Sequence, residues 1–152
     1  MRANRLSIAL ALAAAGAASA AEPIGRSFSL PVPDAERGRR FFVQKACVVC
    51  HSVNGVGGTI GPALDASEPA GVFDPIDFAA RMWRGAGAMV ALQEAELGYQ
   101  IELSGADIAD LAAFAESHTE QEAFTEDEIP EVMRGWTVDD QDRIYLEGME
   151  EQ

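Results

Sequence analysis

The sequence has 152 residues, of which 48% are hydrophobic, and its formal net charge is −14 at pH 7. This length suits one folded domain, and so large a negative charge argues against nucleic acid and anionic lipid as partners. The same charge favours solubility or docking to basic protein surfaces.

The N-terminus has the pattern of a secretory signal peptide over residues 1–20. Arg2 and Arg5 form a positive start, an apolar run follows over residues 6–17, and small residues at 18–20 suit a cleavage site. The apolar run is too short for a membrane-spanning helix, although an uncleaved signal can remain as an anchor. We therefore expect an exported protein with no stable membrane insertion unless the signal is retained. A lead segment over residues 21–33 follows.

The first predicted helix begins after a capping residue at position 34. Asp34 can accept hydrogen bonds from the first turn of a helix through Gln44, and Glu36 lies near the positive end of its dipole. Four basic residues lie on this helix or directly after it: Arg37, Arg39, Arg40 and Lys45. They precede the next motif, so the surface beside that motif is expected to be basic.

The most specific motif lies at residues 47–51, which read Cys-Val-Val-Cys-His and contain both cysteines of the chain. This spacing, which we call the Cys-His segment, is typical of covalent haem attachment. The residues leave three alternatives open: a zinc site that includes His118, a thioredoxin-like dithiol and a structural disulfide. The zinc ligands would be oddly spaced, no βαβ pattern surrounds the motif, and so small a disulfide loop would restrict the unfolded chain little. Haem attachment is therefore favoured.

Two helices are predicted in the middle of the chain, after a glycine-rich loop over residues 54–63. One lies near Ile76–Arg84, and the other runs from Ala88 to Leu97 and ends at Gly98. No segment shows convincing strand alternation, so the sequence predicts helices throughout.

The last helix of the predicted domain begins with a capping box. Ser104 and Asp107 have the required spacing, and the helix is expected to continue through Ser117. Its apolar residues recur at spacings of three and four, which predicts one buried stripe. These residues are Ile108, Leu111, Ala112, Phe114 and Ala115.

Negative charge is concentrated in the second half of the chain. From Glu94 onward there are 18 acidic residues against Arg134 and Arg143, a net charge of −16. Residues 119–152, which we call the extension, approach the composition of disordered segments, although their scattered apolar residues could form short docked helices. The predicted domain therefore covers residues 34–118, followed by an acidic extension of uncertain order.

Residues 34–116 resemble a class I c-type cytochrome of the small exported bacterial monohaem type. The resemblance depends on the Cys-His segment, on Gly38 and Phe42 in the helix before it, and on Leu111 and Phe114 in the last helix. It implies an all-α fold in which several helices wrap around one covalently bound haem. Gly38 would allow the first and last helices to cross closely.

The resemblance also implies the residues that hold the haem. Cys47 and Cys50 would attach it, His51 would be the proximal iron ligand, and the Pro62 carbonyl would accept a hydrogen bond from the second ring nitrogen of His51. His118 is expected at the surface, with bis-histidine ligation as an alternative.

Residues 82–89, Met-Trp-Arg-Gly-Ala-Gly-Ala-Met, resemble a family segment in which the second methionine follows a small-residue turn and reaches iron. This makes Met89 the expected sixth ligand. Met82 is expected in the core, and Met133 and Met149 belong to the extension. Trp83 and Arg84 could donate hydrogen bonds to a haem propionate.

The function implied is that of a periplasmic electron carrier and not of an enzyme. Redox proteins are the expected partners, and no small-molecule substrate is expected. Two alternatives are a haem c subunit of a larger oxidoreductase, with the extension as its docking arm, and a ligand-binding haem protein with an open sixth position.

Overall fold

The structure is a computed structural model that describes residues 30–67 and 73–139. The predicted signal peptide, most of the lead segment and the last residues of the extension, with Met149, lie outside the described residues. Within the two described ranges, no helix has both the length and the apolar character needed to cross a membrane.

The described residues fold into five α-helices and one short hairpin, which confirms the predicted all-α class. The helices are α1 (Ala35–Gln44), α2 (Pro75–Leu92), α3 (Gly105–Ala115), α4 (His118–Ala123) and α5 (Glu131–Arg134). Strands β1 (Ser52–Val53) and β2 (Val56–Gly57) pair antiparallel, with Ser52 opposite Gly57 and Val53 opposite Val56. The sequence predicts no strand here, because two residues are too few to show alternation.

Helix α1 begins and ends where the sequence predicts. Asp34 is its N-cap, and the Asp34 carboxylate accepts a hydrogen bond from the backbone N–H of Arg37 at 2.8 Å. This backbone hydrogen bond, with the nearby Arg37 charge, holds the pKa of the Asp34 carboxyl below its usual value.

Helix α3 opens with the predicted capping box. The Ser104 hydroxyl accepts from the Asp107 backbone N–H at 3.2 Å, and the Asp107 carboxylate accepts from the Ser104 backbone N–H at 2.9 Å. The second of these bonds lowers the pKa of the Asp107 carboxyl. The helix ends at Ala115, two residues before the predicted end, because Ser117 caps α4 by accepting from the Glu120 backbone N–H at 3.3 Å.

Helices α1 and α3 cross in close contact at Gly38. A Cβ atom added at Gly38 would lie 2.0 Å from the Asp110 carbonyl oxygen, so only glycine fits at this crossing. The Asp110 carboxylate, 1% exposed, accepts from Arg37 Nε at 2.5 Å and Nη2 at 2.7 Å, and from the Asp34 backbone N–H at 2.9 Å. The buried charge is thereby paired, and the close approach that the resemblance implies for Gly38 is confirmed.

The middle of the chain differs from the prediction. Helix α2 is continuous from Pro75 to Leu92 and passes into one π turn over Gln93–Leu97. The predicted small-residue turn at residues 85–88 is therefore wrong, since these residues have helical backbone. Glycine costs a helix only about 1 kcal/mol relative to alanine, and the alanines around the two glycines favour helix. The predicted end at Gly98 is confirmed by its left-handed φ of 75°.

The hydrophobic core includes part of the extension. The rings of Phe42 and Phe114 are 5.6 Å apart between centroids, and Phe124 lies 5.5 Å from the first and 6.0 Å from the second. Ile129 is buried in the same cluster. The packed unit therefore continues past His118, where the sequence places the end of the domain.

Candidate cofactor site

The Cys-His segment forms a tight turn directly after α1. Ala46 takes the left-handed conformation with φ 58°, and one 3₁₀ turn follows over Cys47–Val49. The Cys47 carbonyl accepts from the backbone N–H of Cys50 at 3.2 Å and of His51 at 2.9 Å. Both cysteines are free thiols and are partly buried. The turn thus brings the two thiols and the histidine onto one short, well-defined segment.

The environment of the thiols bears on the other interpretations of this segment. Burial raises the pKa of the Cys47 thiol to about 12, and burial together with the charge of Glu96 raises the pKa of the Cys50 thiol. A reactive dithiol needs a lowered pKa, so these thiols do not fit a thioredoxin-like function. Among the described residues, no cluster of His, Cys, Asp or Glu could hold a metal ion by itself. His118 instead opens α4, with Nε2 3.2 Å from the Ser67 carbonyl oxygen.

The His51 ring is oriented by one hydrogen bond. Its Nδ1 lies 2.8 Å from the Pro62 carbonyl oxygen, the partner that the resemblance implies. Because a carbonyl can only accept, Nδ1 must carry the proton, and the lone pair of the neutral ring is then on Nε2. This is the tautomer that binds a metal through Nε2, and the Pro62 carbonyl, by accepting from Nδ1, increases the basicity of the ring.

A glycine lets the chain pass close to the His51 ring. A Cβ atom at Gly61 would lie 2.6 Å from His51 Cε1, 2.7 Å from His51 Nδ1 and 3.0 Å from the Cys50 carbonyl oxygen. The Gly61 backbone N–H donates to that Cys50 carbonyl at 2.7 Å. Gly61 therefore sets how closely the Pro62 carbonyl can approach the ring.

Met89 lies in the last turns of α2 and is partly buried. At 3.6 residues per turn, it lies about 20° around the helix from both Phe78 and Met82. Phe78 is buried and Met82 packs against the core, as expected for Met82. Met89 therefore belongs to the face of α2 that turns toward the interior, although it does not follow a turn. Its role as an iron ligand stays a prediction.

Trp83 and Arg84 lie on other sides of α2. They are about 120° and 140° around the helix from Met89, and both are exposed, Trp83 by 82%. The structure does not bring either residue to the face of Met89. Their contact with a propionate stays a prediction.

The basic residues near the Cys-His segment do not form a positive face, contrary to the expectation from the sequence. Each lies within 4 Å of at least one carboxylate. The pairs are Arg37 with Asp34 and Asp110, Arg39 with Glu120 and Glu128, Arg40 with Glu36, and Lys45 with Asp107. Acids at the start of α1 and in the second half of the chain thus pair with all four of these cations.

Two residues of the extension touch the site, and sequence reasoning missed both. Gln121 is 2% exposed and hydrogen-bonds to the loop after β2, and Val138 pairs through its backbone with Val49 inside the Cys-His segment. Nothing in their local sequence marks them, because the surrounding residues are mostly acidic and polar. Met133 also packs against two hydrophobic clusters, one that contains Phe124 and one that contains Val138.

The side chains fit a haem of the attached type. Two thiols at the right spacing, an imidazole with Nε2 as its lone-pair nitrogen, and a thioether on an inward helix face are the donors that such a group needs.

Comparison with known proteins gives the same family. The family model described as "Cytochrome c" matches residues 35–119, more than half of the chain. Neither the curated proteins nor the solved structures gave a significant match.

Proposed function

Since the chain belongs to the cytochrome c family, we propose that it is an exported monohaem c-type cytochrome that carries single electrons between redox proteins. Family membership by itself supports a haem-binding electron-transfer protein. The finer parts of the proposal are the attachment of one haem to Cys47 and Cys50, the iron ligands His51 and Met89, and the periplasmic location.

The observation that carries the proposal is the geometry at His51. The residue follows the second cysteine directly, and its Nδ1 is held by the Pro62 carbonyl at 2.8 Å. Nε2 is therefore presented in the form that binds iron. When bound, the haem supplies an iron that gains and loses one electron. Cys47 and Cys50 would fix its position beside the ring of His51.

Met89 decides which haem function is proposed. As an iron ligand, the Met89 thioether would leave no position for external ligands and would raise the reduction potential relative to a second imidazole. Support for this role comes from the inward face that Met89 shares with Phe78 and Met82. The role does not require the small-residue turn, since a helix can present a methionine as well as a loop can.

Two further parts of the proposal depend on the sequence. The pattern of residues 1–20 supports export, and c-type cytochromes are matured outside the cytoplasm, so we propose a periplasmic protein. Trp83 and Arg84 are proposed as hydrogen-bond donors to a propionate, because both carry suitable N–H groups.

The redox partners are proposed to be proteins with a basic docking face. The cations of α1, and Lys45 after it, are paired with carboxylates, while the sequence from Glu94 onward has a net charge of −16. The charge left for a partner to meet is therefore mainly negative. Short-lived electron-transfer contacts are small and are steered by such charges.

The extension motivates the alternative of a haem subunit with a docking arm. Within its described part, Gln121, Phe124, Ile129 and Val138 are buried, and Phe124 and Ile129 are part of the core. This part of the extension is not a projecting arm, so we place the free carrier first.

Carbon monoxide tests the carrier function against the ligand-binding alternative. Added to the reduced full-length protein at neutral pH, it should leave the spectrum unchanged, because the sixth position is filled. The Met89→Ala variant should bind carbon monoxide promptly, whereas Met82→Ala, a change on the same helix face, should not. Prompt binding by the unmodified protein would contradict the proposed function.

A further inference from the structure

The segment that follows the family match packs directly on the proximal side of the site. The match ends at residue 119, and residues 120–138 contain the two contacts with the loop that carries Pro62. We call residues 58–66 the proximal loop, because they run from β2 past the ring of His51.

Gln121 holds one end of the proximal loop. Its side-chain Nε2 donates to the Leu64 carbonyl at 2.7 Å, and its Oε1 accepts from the Ala66 backbone N–H at 2.8 Å. Nε2 also lies within hydrogen-bond distance of the carbonyls of Phe114 and Ala115, at 3.2 and 3.3 Å. One buried amide thus ties the loop to the end of α3.

These bonds are costly to lose. Gln121 is 2% exposed, so a partner left behind by its removal has little access to water. An unpaired buried polar group costs about 1–3 kcal/mol, and the loop carries two of the partners. Removal of the amide therefore weakens the attachment of the loop.

Val138 holds the other end of the proximal loop. Its carbonyl accepts from the backbone N–H groups of Thr59 at 3.0 Å and Ile60 at 3.2 Å, while its own N–H donates to the Val49 carbonyl at 2.9 Å. The Val138 side chain is buried against Ala46 and Val49. The extension thus contacts the loop on both sides of Pro62.

Pro62 lies midway between these two attachments. Gly61 N–H to Cys50 at 2.7 Å and Leu64 N–H to Ser52 at 2.9 Å fix the loop to the Cys-His segment and to β1. The carbonyl of the same residue, Leu64, accepts a hydrogen bond from the Gln121 amide. The position of the Pro62 carbonyl therefore depends on the extension as well as on the attachment motif.

We propose that Gln121 is a positioning residue for the iron ligand, acting through Leu64 and Pro62 to hold the hydrogen bond to His51 Nδ1. The inference rests on the proposed function, in which His51 binds iron. A fixed hydrogen bond from Nδ1 makes the imidazole a stronger donor and stabilises the ferric state. The extension then sets the reduction potential from outside the part of the chain that the family model matches.

The test is a redox titration of the full-length haem protein with three variants. Gln121→Leu removes every hydrogen bond of the amide, and Gln121→Met does the same with an uncharged side chain of similar length. Both should favour the ferrous state, so that the ferric-to-ferrous ratio at a fixed potential falls below that of the unmodified protein. Gln121→Met provides the readout if Gln121→Leu does not fold.

Phe124→Leu is the matched control. Phe124 lies in the same part of the extension and is buried in the core, where its ring contacts the rings of Phe42 and Phe114. The variant should lower the melting temperature and leave the ferric-to-ferrous ratio unchanged. An unchanged ratio in the folded Gln121 variants, or an equal shift in Phe124→Leu, would overturn the positioning role. Absence of attached haem in the unmodified protein would instead contradict the proposed function itself.

Discussion

The crossing of α1 and α3 gives a prediction whose size follows from the geometry. In Gly38→Ala, the new Cβ would lie 2.0 Å from the Asp110 carbonyl oxygen and 2.9 Å from Phe114 Cβ, where ordinary contacts begin at 3.4 Å. The first obstacle is backbone, so the two helices must separate by more than about 1 Å, the scale at which van der Waals contacts are lost. This separation also pulls Arg37 from the buried Asp110 carboxylate.

Overpacking of this kind costs about 3 kcal/mol, the upper end of the usual range. Alanine offsets about 1 kcal/mol of that cost through its higher helix propensity. We expect a net loss of about 2 kcal/mol, which is a fall of about 8 °C or more in melting temperature for a domain of this size. Thermal unfolding of the full-length haem protein, followed by circular dichroism, measures it.

Gly85→Ala is the matched control, because a Cβ at Gly85 meets nothing within 4 Å. Since Gly85 lies inside α2, the change should stabilise the protein by about 0.5–1 kcal/mol. A Gly38→Ala variant as stable as the unmodified protein would refute the crossing. A destabilised Gly85→Ala variant would refute the continuous helix and restore the turn predicted from the sequence.

Three further predictions concern the site and the charges. Gly61→Ala should displace the loop from the His51 ring, because the new Cβ would lie 2.6 Å from His51 Cε1. The displacement should shift the reduction potential and the ferric absorption spectrum. Spectra identical to those of the unmodified protein would show that the loop does not contact the ring. Asp107→Ala should lower the melting temperature at neutral pH, and the gap between the variant and the unmodified protein should close as pH falls below about 4. The reason is that the pKa of Asp107 is lowered in the folded protein, so its contribution to stability is present above the usual carboxyl pKa of 3.8 and is lost as pH falls through the folded value. A gap in melting temperature that is constant from pH 7 to pH 3 contradicts this. As ionic strength rises, electron exchange with a basic partner should slow and exchange with an acidic partner should accelerate. Stopped-flow absorbance measures both rates, and rates independent of salt would rule out steering by the negative surface.

Local sequence signals predicted the starts of two helices and the attachment motif. The caps at Asp34 and Ser104 mark the starts of α1 and α3, because a side chain that accepts backbone N–H groups is a local device. The Cys-His segment is equally local, so the resemblance to a cytochrome c could be recognised before the fold was known. Gly38 was identified through that resemblance.

Long-range contacts account for what the sequence did not predict. Residues 85–88 contain two glycines and suggest a turn, yet they continue the helix. The acidic composition after residue 119 hides Gln121, Phe124 and Val138, whose hydrogen-bond and ring partners lie up to 89 positions earlier in the chain. The ion pairs of α1 with α4 and the following turn likewise cannot be read from composition, so the basic face expected from the sequence is neutralised.

The most direct test of the central claim, that Met89 completes the coordination of a haem held by His51, is the absorption spectrum of the purified ferric protein. The account predicts a weak far-red band from methionine sulfur bound to ferric iron, present in the unmodified protein and in the control variants Met82→Ala and Met133→Ala. The band should be lost in Met89→Ala alone. Its absence from the unmodified protein, or its persistence in Met89→Ala, would contradict the ligand assignment and with it the proposed function as an electron carrier.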